Sequence, residues 1–138
     1  MAPPLCPTLA PQPAESAASF VSRLAGLHRI ESARMFASDL GFAFRDVVDG
    51  DPETLRRVAA LAGAPADALI HNATRREADG WRLRGQLMLK SSLHRTSLRL
   101  CPACIAADLQ LDPSNCAAQA YGRLHWQVAS IRTCETHG

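Results

Sequence analysis

Apolar residues recur at helical spacing throughout the first half of the chain. After Ser16, for example, Phe20, Leu24 and Leu27 lie four and then three positions apart, on one face of a helix. The same periodicity predicts four helices, within "ESAASFVSRLAG", "SARMFASDLG", "DPETLRRVAALAG" and "PADALIHNAT". Residues 1–13 are rich in proline instead, which predicts a flexible or extended arm.

The third of these segments has the clearest start and stop signals. Asp51 is a favourable N-cap, Pro52 suits the first helical position, and Gly63 can end the helix. Ala59, Gly63 and Leu69 have the spacing of a helix-turn-helix, in which the glycine makes the turn. The second helix of that pair has no Arg or Lys before residue 75, so the pattern favours a structural role over base recognition.

The pattern changes after residue 75. "DGWRLRGQ" is typical of a turn and a short strand, and "IAADLQL" predicts one or two helical turns. Apolar and polar residues alternate over 123–128, which predicts a strand that runs directly into Cys134. The second half is therefore expected to combine short helices with strands.

Composition narrows the class of protein. Apolar residues make up 47% of the 138 residues and charged residues 20%, as in ordinary globular domains, while aromatic residues make up only 5%. No apolar run approaches the roughly 20 residues of a membrane span, and the start has neither the basic nor the apolar region of a secretory signal. We therefore expect a cytoplasmic protein whose cysteines are reduced.

The net charge of +2 is unevenly distributed. Residues 75–132 contain nine Lys and Arg against four acidic residues, whereas acidic residues outnumber basic ones over 1–74. A basic second half suggests a polyanionic partner, although solvated arginines on an ordinary surface would give the same count. The candidate nucleic-acid contacts are Arg75, Arg76, Arg82, Arg84, Lys90, Arg95 and Arg99.

Two closely spaced pairs carry the main candidate chemistry. Cys101 and Cys104 are separated by two residues, and Cys134 and His137 repeat that spacing near the end of the chain. A two-residue spacer lets both side chains of a pair turn toward one ion, and two such pairs supply the four ligands of tetrahedral Zn²⁺. A structural zinc site is the favoured interpretation, and the filled ligand shell argues against a catalytic zinc.

Other interpretations of the cysteines remain open. Cys101 and Cys104 could be a redox pair, although that chemistry usually sits in a βαβ unit, or the pairs could form a disulfide or pack as unrelated buried thiols. Cys6 is expected to be an exposed thiol of the arm. Cys116 is expected to be a small core residue, with a role as an alternate ligand as the lesser option. No Gly-rich phosphate loop, GxSxG or HExxH motif indicates an enzyme.

These patterns predict a mainly α N-terminal half, helical and helix-turn-helix-like, followed by a small α+β zinc-ribbon-like module. The corresponding domain boundaries are an arm over 1–13, a helical region over 14–78 and a zinc-ribbon-like region over 79–138, which contains both pairs of candidate ligands.

Three motifs, taken in order, resemble the TniQ family. "ESAASFVSRLA" is similar to the family's opening "ES..S...RLA", and "RLCPACIAAD" is similar to "RLCPxCLAED". "YGRLHWQVASIRTCETHG" is similar to the closing "YWRLxWQLPGVxxCxxHG", from which it departs at Gly122 and at Ala129 and Ser130. The resemblance is to the N-terminal module only, because family members generally continue past the His-Gly.

The resemblance implies a non-enzymatic accessory of DNA transposition. Such proteins help to select the target site by bridging a targeting factor, either a DNA-binding protein or an RNA-guided complex, and the transposase machinery. By motif match, Cys101, Cys104, Cys134 and His137 would bind structural zinc. Nucleic acid would lie nearby within the complex, and a homodimer is one expected assembly. The alternative is a regulator that binds DNA directly through the helix-turn-helix.

Overall fold

A computed structural model describes residues 3–95, 97 and 99–138. The helices run over Ala17–Leu27 (α1), Ala33–Asp39 (α2), Phe44–Val48 (α3), Pro52–Ala62 (α4), Ala66–His71 (α5), Pro102–Leu111 (α6) and Cys116–Gln119 (α7). The strands are Thr74–Glu77 (β1), Gly80–Leu83 (β2) and Gln86–Met88 (β3), and short 3₁₀ helices occur at Lys90–Ser92, Pro113–Asn115 and Leu124–Gln127. About half of the chain is therefore helical, with one small sheet.

The four helices predicted in the first half are confirmed. Asp51 caps α4 by accepting a hydrogen bond from the Thr54 N–H, and Gly63 ends that helix in the left-handed conformation. The turn at Gly63 leads into α5, and Ala59 and Leu69 are both buried between the two helices, as expected from their spacing. The two helices pack against each other, whereas the helix-turn-helix assignment and its use as a reader of DNA stay predictions.

One helix was missed in this half. The sequence from Asp46 to Asp51 predicts only a turn, but α3 occupies Phe44–Val48 and the turn comes after it, at Asp49 and Gly50. Five residues are too few to show a helical repeat, and Val47 becomes buried only because α1, α2 and α4 surround it. Tertiary packing, rather than local sequence, forms this helix.

The helical half contains most of the apolar core. Thirteen of the described residues, on helices α1 to α5 and just after them, form one buried cluster, whereas the second cluster consists of Leu83, Leu93 and Leu124. The proline-rich arm also joins the larger cluster, because Leu5 donates its N–H to Leu61 and Thr8 donates its hydroxyl to the Ala62 carbonyl. From Pro3 onward this segment is extended and anchored along α4, rather than a free arm.

The sheet is antiparallel, in the order β1-β2-β3. Thr74 pairs with Leu83, and Trp81 pairs with Met88 on the other side of β2. The boundary predicted between 78 and 79 falls in the turn between β1 and β2, so this hairpin spans the two proposed regions.

The strand predicted before Cys134 is wrong. Leu124–Gln127 forms a 3₁₀ helix, in which the Trp126 N–H bonds to the Arg123 carbonyl. Over this segment the chain makes only single bridges with neighbouring backbone, at Arg123 and Val128, so no ladder can form. Leu124 and Val128 both pack in the cluster that contains Leu83 and Leu93, so their alternate spacing reflects a shared apolar core and not one face of a sheet.

A buried polar network joins the two halves at the start of α1. The Glu15 carboxylate accepts hydrogen bonds from the Ser19 hydroxyl at 3.0 Å and from Arg23 at 2.8 Å. Arg23 also donates to the carbonyl of Ala118, and the Gly122 N–H donates to the Ser19 hydroxyl at 2.7 Å. Glu15 and Arg23 are both buried, so each compensates the other's charge. The spacing of "ESAASFVSR" places Glu15, Ser19 and Arg23 where α1 meets the second half of the chain.

The sheet meets the helices at the end of α3. Gly50 has a φ of +73°, and a Cβ at this position would lie 2.6 Å from the Thr74 carbonyl oxygen and 2.7 Å from the Arg75 Cα. The Arg76 N–H donates to the Asp49 carbonyl at 2.8 Å directly beside this contact. Backbone therefore packs on backbone here, which only glycine allows.

We predict that Gly50→Ala lowers the free energy of unfolding by about 2–4 kcal/mol, since the methyl group adds a backbone clash to the cost of a left-handed alanine. Gly85 is a matched control, because its φ is +82° but nothing lies within 4 Å of its Cβ position. Gly85→Ala should cost about 1 kcal/mol. Urea unfolding of both variants measures the difference, and equal losses would show that the close contact contributes nothing.

Candidate metal centre

The first pair of candidate ligands is placed by the start of α6. Cys101 is the N-cap residue and Pro102 the first residue of the helix, where its missing N–H has no cost. Cys104 follows one turn later, so the side chains of the two cysteines lie on the same side of the helix start. The helix itself is ten residues long, more than the one or two turns predicted.

The second pair lies in a tight turn near the end of the chain. The Gly138 N–H donates to the Cys134 carbonyl at 2.8 Å, and this bond closes the turn around His137. Gly138 itself has a φ of +82°. The turn directs the Nδ1 atom of His137 toward the three cysteine sulfurs, so the residue is held in place although its surface is exposed.

The four side chains converge on one point. The Nδ1 atom of His137 lies 3.4 Å from the sulfurs of Cys101 and Cys104 and 3.5 Å from that of Cys134. The Cys104 and Cys134 sulfurs are 3.5 Å apart, and all four ligand atoms lie within 4.8 Å of one another. In a tetrahedral site with Zn–S near 2.3 Å and Zn–N near 2.0 Å, ligand atoms are separated by about 3.5–3.8 Å. The cluster could therefore hold a metal ion, and its donors fit that geometry.

The geometry of the cysteines also bears on their interpretation as a disulfide or as a redox pair. Cys6, Cys101, Cys104 and Cys134 are all free thiols, and the 3.5 Å between the Cys104 and Cys134 sulfurs is well beyond a disulfide bond. Cys6 is exposed in the arm, as expected. Nothing is described of the Cys116 side chain, so its predicted roles lie outside the described part of the chain. No strand leads directly into α6 in the described residues, unlike the βαβ setting expected of a redox pair.

Local electrostatics already favour one thiolate. Hydrogen bonds from the backbone N–H groups of Thr136 and His137 lower the pKa of Cys134 to about 6. Burial, followed by hydrogen bonds to the neighbouring thiols, raises the pKa of Cys104 to about 12. The backbone donors around Cys134 therefore favour its thiolate form, and a metal ion would displace the proton from Cys104 as it binds.

An ion pair beside the cluster fixes the segment that holds Cys101 and Cys104, the first knuckle, against the rest of the chain. The segment that holds Cys134 and His137 is the second knuckle. Asp108 is buried on α6, four residues after Cys104. Its carboxylate accepts two hydrogen bonds from the Arg123 guanidinium, one of them at 2.8 Å. Arg123 also lies over the ring of Tyr121 at 3.7 Å. The spacing of four residues between Cys104 and Asp108 is the sequence signal that places this carboxylate on the ligand side of α6.

Four of the basic residues predicted to contact nucleic acid are exposed: Arg75, Arg76, Arg84 and Lys90. Arg75 and Arg76 lie on β1, and Lys90 begins the 3₁₀ helix after β3. Arg82 instead donates to both carboxylate oxygens of Glu77, at 2.9 and 3.1 Å. Lys90 and the two β1 arginines are the members of the set whose heads are most accessible to a partner.

Arg84 and the remaining two predicted contacts already have partners. Arg84 donates to the Asn72 side chain at 2.8 Å, and Arg99 lies 2.9 Å from the Nε2 atom of His94. The Arg95 side chain is only 15% exposed and its guanidinium lies over the Trp81 ring, 4.0 Å from the ring centre. The structure brings the predicted metal ligands together, while it distributes the predicted basic contacts over the sheet and the segment after it.

Comparison with known proteins identifies a family match. The family model described as TniQ matches residues 6–138, nearly the whole chain and both pairs of cluster residues. No curated protein and no solved structure is similar enough to count as a match. Within the described residues, no helix has both the length and the apolar character needed to cross a membrane.

We predict that the chain, purified under reducing conditions, contains one divalent metal ion per molecule by inductively coupled plasma mass spectrometry. Cys104→Ser removes the ligand whose sulfur lies beside the Cys134 sulfur and the His137 Nδ1 atom, so the metal content should fall below about 0.2 per molecule. Cys6→Ser, which alters a thiol in the arm, should leave it at one. A metal content that is unchanged in Cys104→Ser would show that the ion binds elsewhere.

Proposed function

The chain belongs to the TniQ family, and from that premise we propose that it is a non-enzymatic, zinc-stabilised adaptor in DNA transposition. It helps to select the target site by bridging a targeting factor, either a DNA-binding protein or an RNA-guided complex, and the transposase machinery. The observation that carries this proposal is the family match over residues 6–138, which gives a transposition-associated role to the whole described fold.

The metal cluster supports a structural and not a catalytic role. Three thiol side chains and one imidazole are the ligands of structural zinc sites, whereas catalytic zinc keeps a position open for water. The four donors of this cluster fill a tetrahedral shell. When bound, zinc supplies folding energy and fixes the two knuckles relative to each other.

The distribution of surface properties supports a bridging role. Leu87 and Leu89 are 50% and 67% exposed at the edge of the sheet, and Leu111 is 74% exposed at the end of α6. Exposed apolar side chains of this size are suited to protein partners, and the basic residues of β1 suit nucleic acid in the same complex. We place the protein in the cytoplasm, with a homodimer as one assembly.

The alternative function is a regulator that binds DNA directly through α4 and α5. Two observations weaken it. The exposed positions of α5 include Asp67 and His71 but no Arg or Lys, and a major-groove reader usually presents basic or amide side chains. Pro4 of the arm also lies near Gly63, where a Cβ would be 3.6 Å from the proline, so the arm partly covers the turn between the helices.

A binding experiment tests the adaptor. We expect the zinc-loaded chain, immobilised on a resin, to retain the transposition ATPase or the targeting factor encoded beside its gene. The Cys6→Ser control should retain them equally, and Cys104→Ser should retain less than a tenth as much, because it releases the knuckles. Retention of neither protein, together with sequence-specific DNA binding that is lost in His71→Ala, would overturn the adaptor in favour of the regulator.

A further inference from the structure

A wide groove separates the helical half from the sheet. It encloses about 1170 Å³, and its walls come from α2, α3, β1, the start of β2 and the segment around Lys90 and Arg95. Five cationic and two acidic side chains line it: Arg34, Arg45, Arg76, Lys90 and Arg95, with Asp49 and Glu77. Two of these cations, Arg34 and Arg45, belong to the half of the chain with the acidic composition, so the basic surface continues across the two halves.

Asp49 organises the centre of this groove. Its carboxylate lies 3.3 Å from Arg45, 3.6 Å from Arg95 and 3.9 Å from Arg76, so three arginines share one negative charge. Arg95 is fixed further by a 2.7 Å hydrogen bond to the Val48 carbonyl. One carboxylate cannot neutralise three guanidinium groups, and the excess positive charge faces the groove.

The other charges leave that excess uncompensated. Glu77 is occupied by the two hydrogen bonds from Arg82. In the described part of the chain, neither Arg34 nor Lys90 forms an ion pair. The Arg45 and Arg76 side chains are 75% and 61% exposed, so their guanidinium groups can reach a ligand without unfolding the groove.

The pKa of Arg95 is consistent with this crowding. Burial lowers it, Asp49 opposes that effect, and repulsion from Arg45 and Arg76 lowers it again. An anion placed among the three arginines would relieve the repulsion. Asp49 thus holds the guanidinium groups in position, which reduces the cost of ordering them when a ligand binds.

We propose that this groove binds the phosphate backbone of a nucleic acid. Four of its five cations are arginines, whose planar donors match phosphate oxygens in pairs. Three of the cations converge on Asp49, while Arg34 and Lys90 lie on two other segments of the open groove, so more than one phosphate of a chain can find a cationic partner. Phe42 and Phe44 in the wall offer apolar contacts to sugars or unstacked bases. This role of the groove rests on the proposed function in one respect, which is that the nucleic acid belongs to a transposition complex.

Fluorescence anisotropy tests the groove, with the zinc-loaded full chain and labelled 20-nucleotide single-stranded and duplex DNA at 50–200 mM salt. Each phosphate contact contributes about 0.7–0.9 to the slope of log affinity against log salt. Arg45→Gln and Arg76→Gln should each reduce the magnitude of that slope by about 1 and weaken binding about fivefold to tenfold at 100 mM salt, for every sequence tested.

Arg56→Gln is the matched control, since Arg56 is exposed on α4, does not line the groove and carries the same charge. It should change neither slope nor affinity. Equal losses of DNA affinity in all three variants would show that binding depends only on net charge, which would overturn the proposal. The absence of DNA binding at 50 mM salt would overturn it as well. Competition by polyglutamate as strong as that by DNA of equal charge would assign the groove to acidic peptides.

The adaptor proposal and the groove proposal can be refuted independently of each other. If the groove variants lose DNA binding as expected while the chain retains neither the ATPase nor the targeting factor, the adaptor is wrong and the groove stands. If protein retention is zinc-dependent but the groove variants bind DNA like the unmodified chain, the groove is wrong and the adaptor stands.

Discussion

The second half of the chain depends on the convergence of Cys101 and Cys104 with Cys134 and His137. Among the described residues, Leu83, Leu93 and Leu124 form the buried apolar cluster of this half, and fully burying three such side chains contributes about 5–9 kcal/mol. Structural zinc in small peptides contributes about 10–16 kcal/mol at neutral pH. A zinc ion bound by both pairs would therefore contribute more stability than the local apolar core. The Asp108–Arg123 ion pair then fixes the orientation of the first knuckle.

In the helical half, the apolar core and not a metal site is the main source of stability. Its core is continuous across five helices, and the arm adds Leu5 and Leu9 to it. The junctions between the halves include the Glu15 and Arg23 network at α1 and the contact of Gly50 with the backbone of β1. The basic groove lies along the second junction, where Asp49 gathers arginines from both halves.

Local signals predicted the elements that local interactions form. The boundaries of α4 follow from Asp51, Pro52 and Gly63, and the metal cluster follows from the repeated two-residue spacing. Features that depend on distant contacts were missed. Leu124–Gln127 alternates like a strand but has no continuous partner strand, and α3 is too short to show a period. Likewise, Arg95 is basic in sequence, but only the fold shows that its head lies on Trp81 beside Asp49.

Amide hydrogen exchange, measured by mass spectrometry before and after removal of the metal with a chelator, tests the central claim most directly. The account predicts that α6 and the segment from Tyr121 to Cys134 lose protection by at least about a hundredfold when the metal is removed. Helices α1 and α4 should keep most of theirs, because their core is independent of the knuckles. Unchanged protection of α6 after metal removal would contradict the claim that the cross-link holds the second half together.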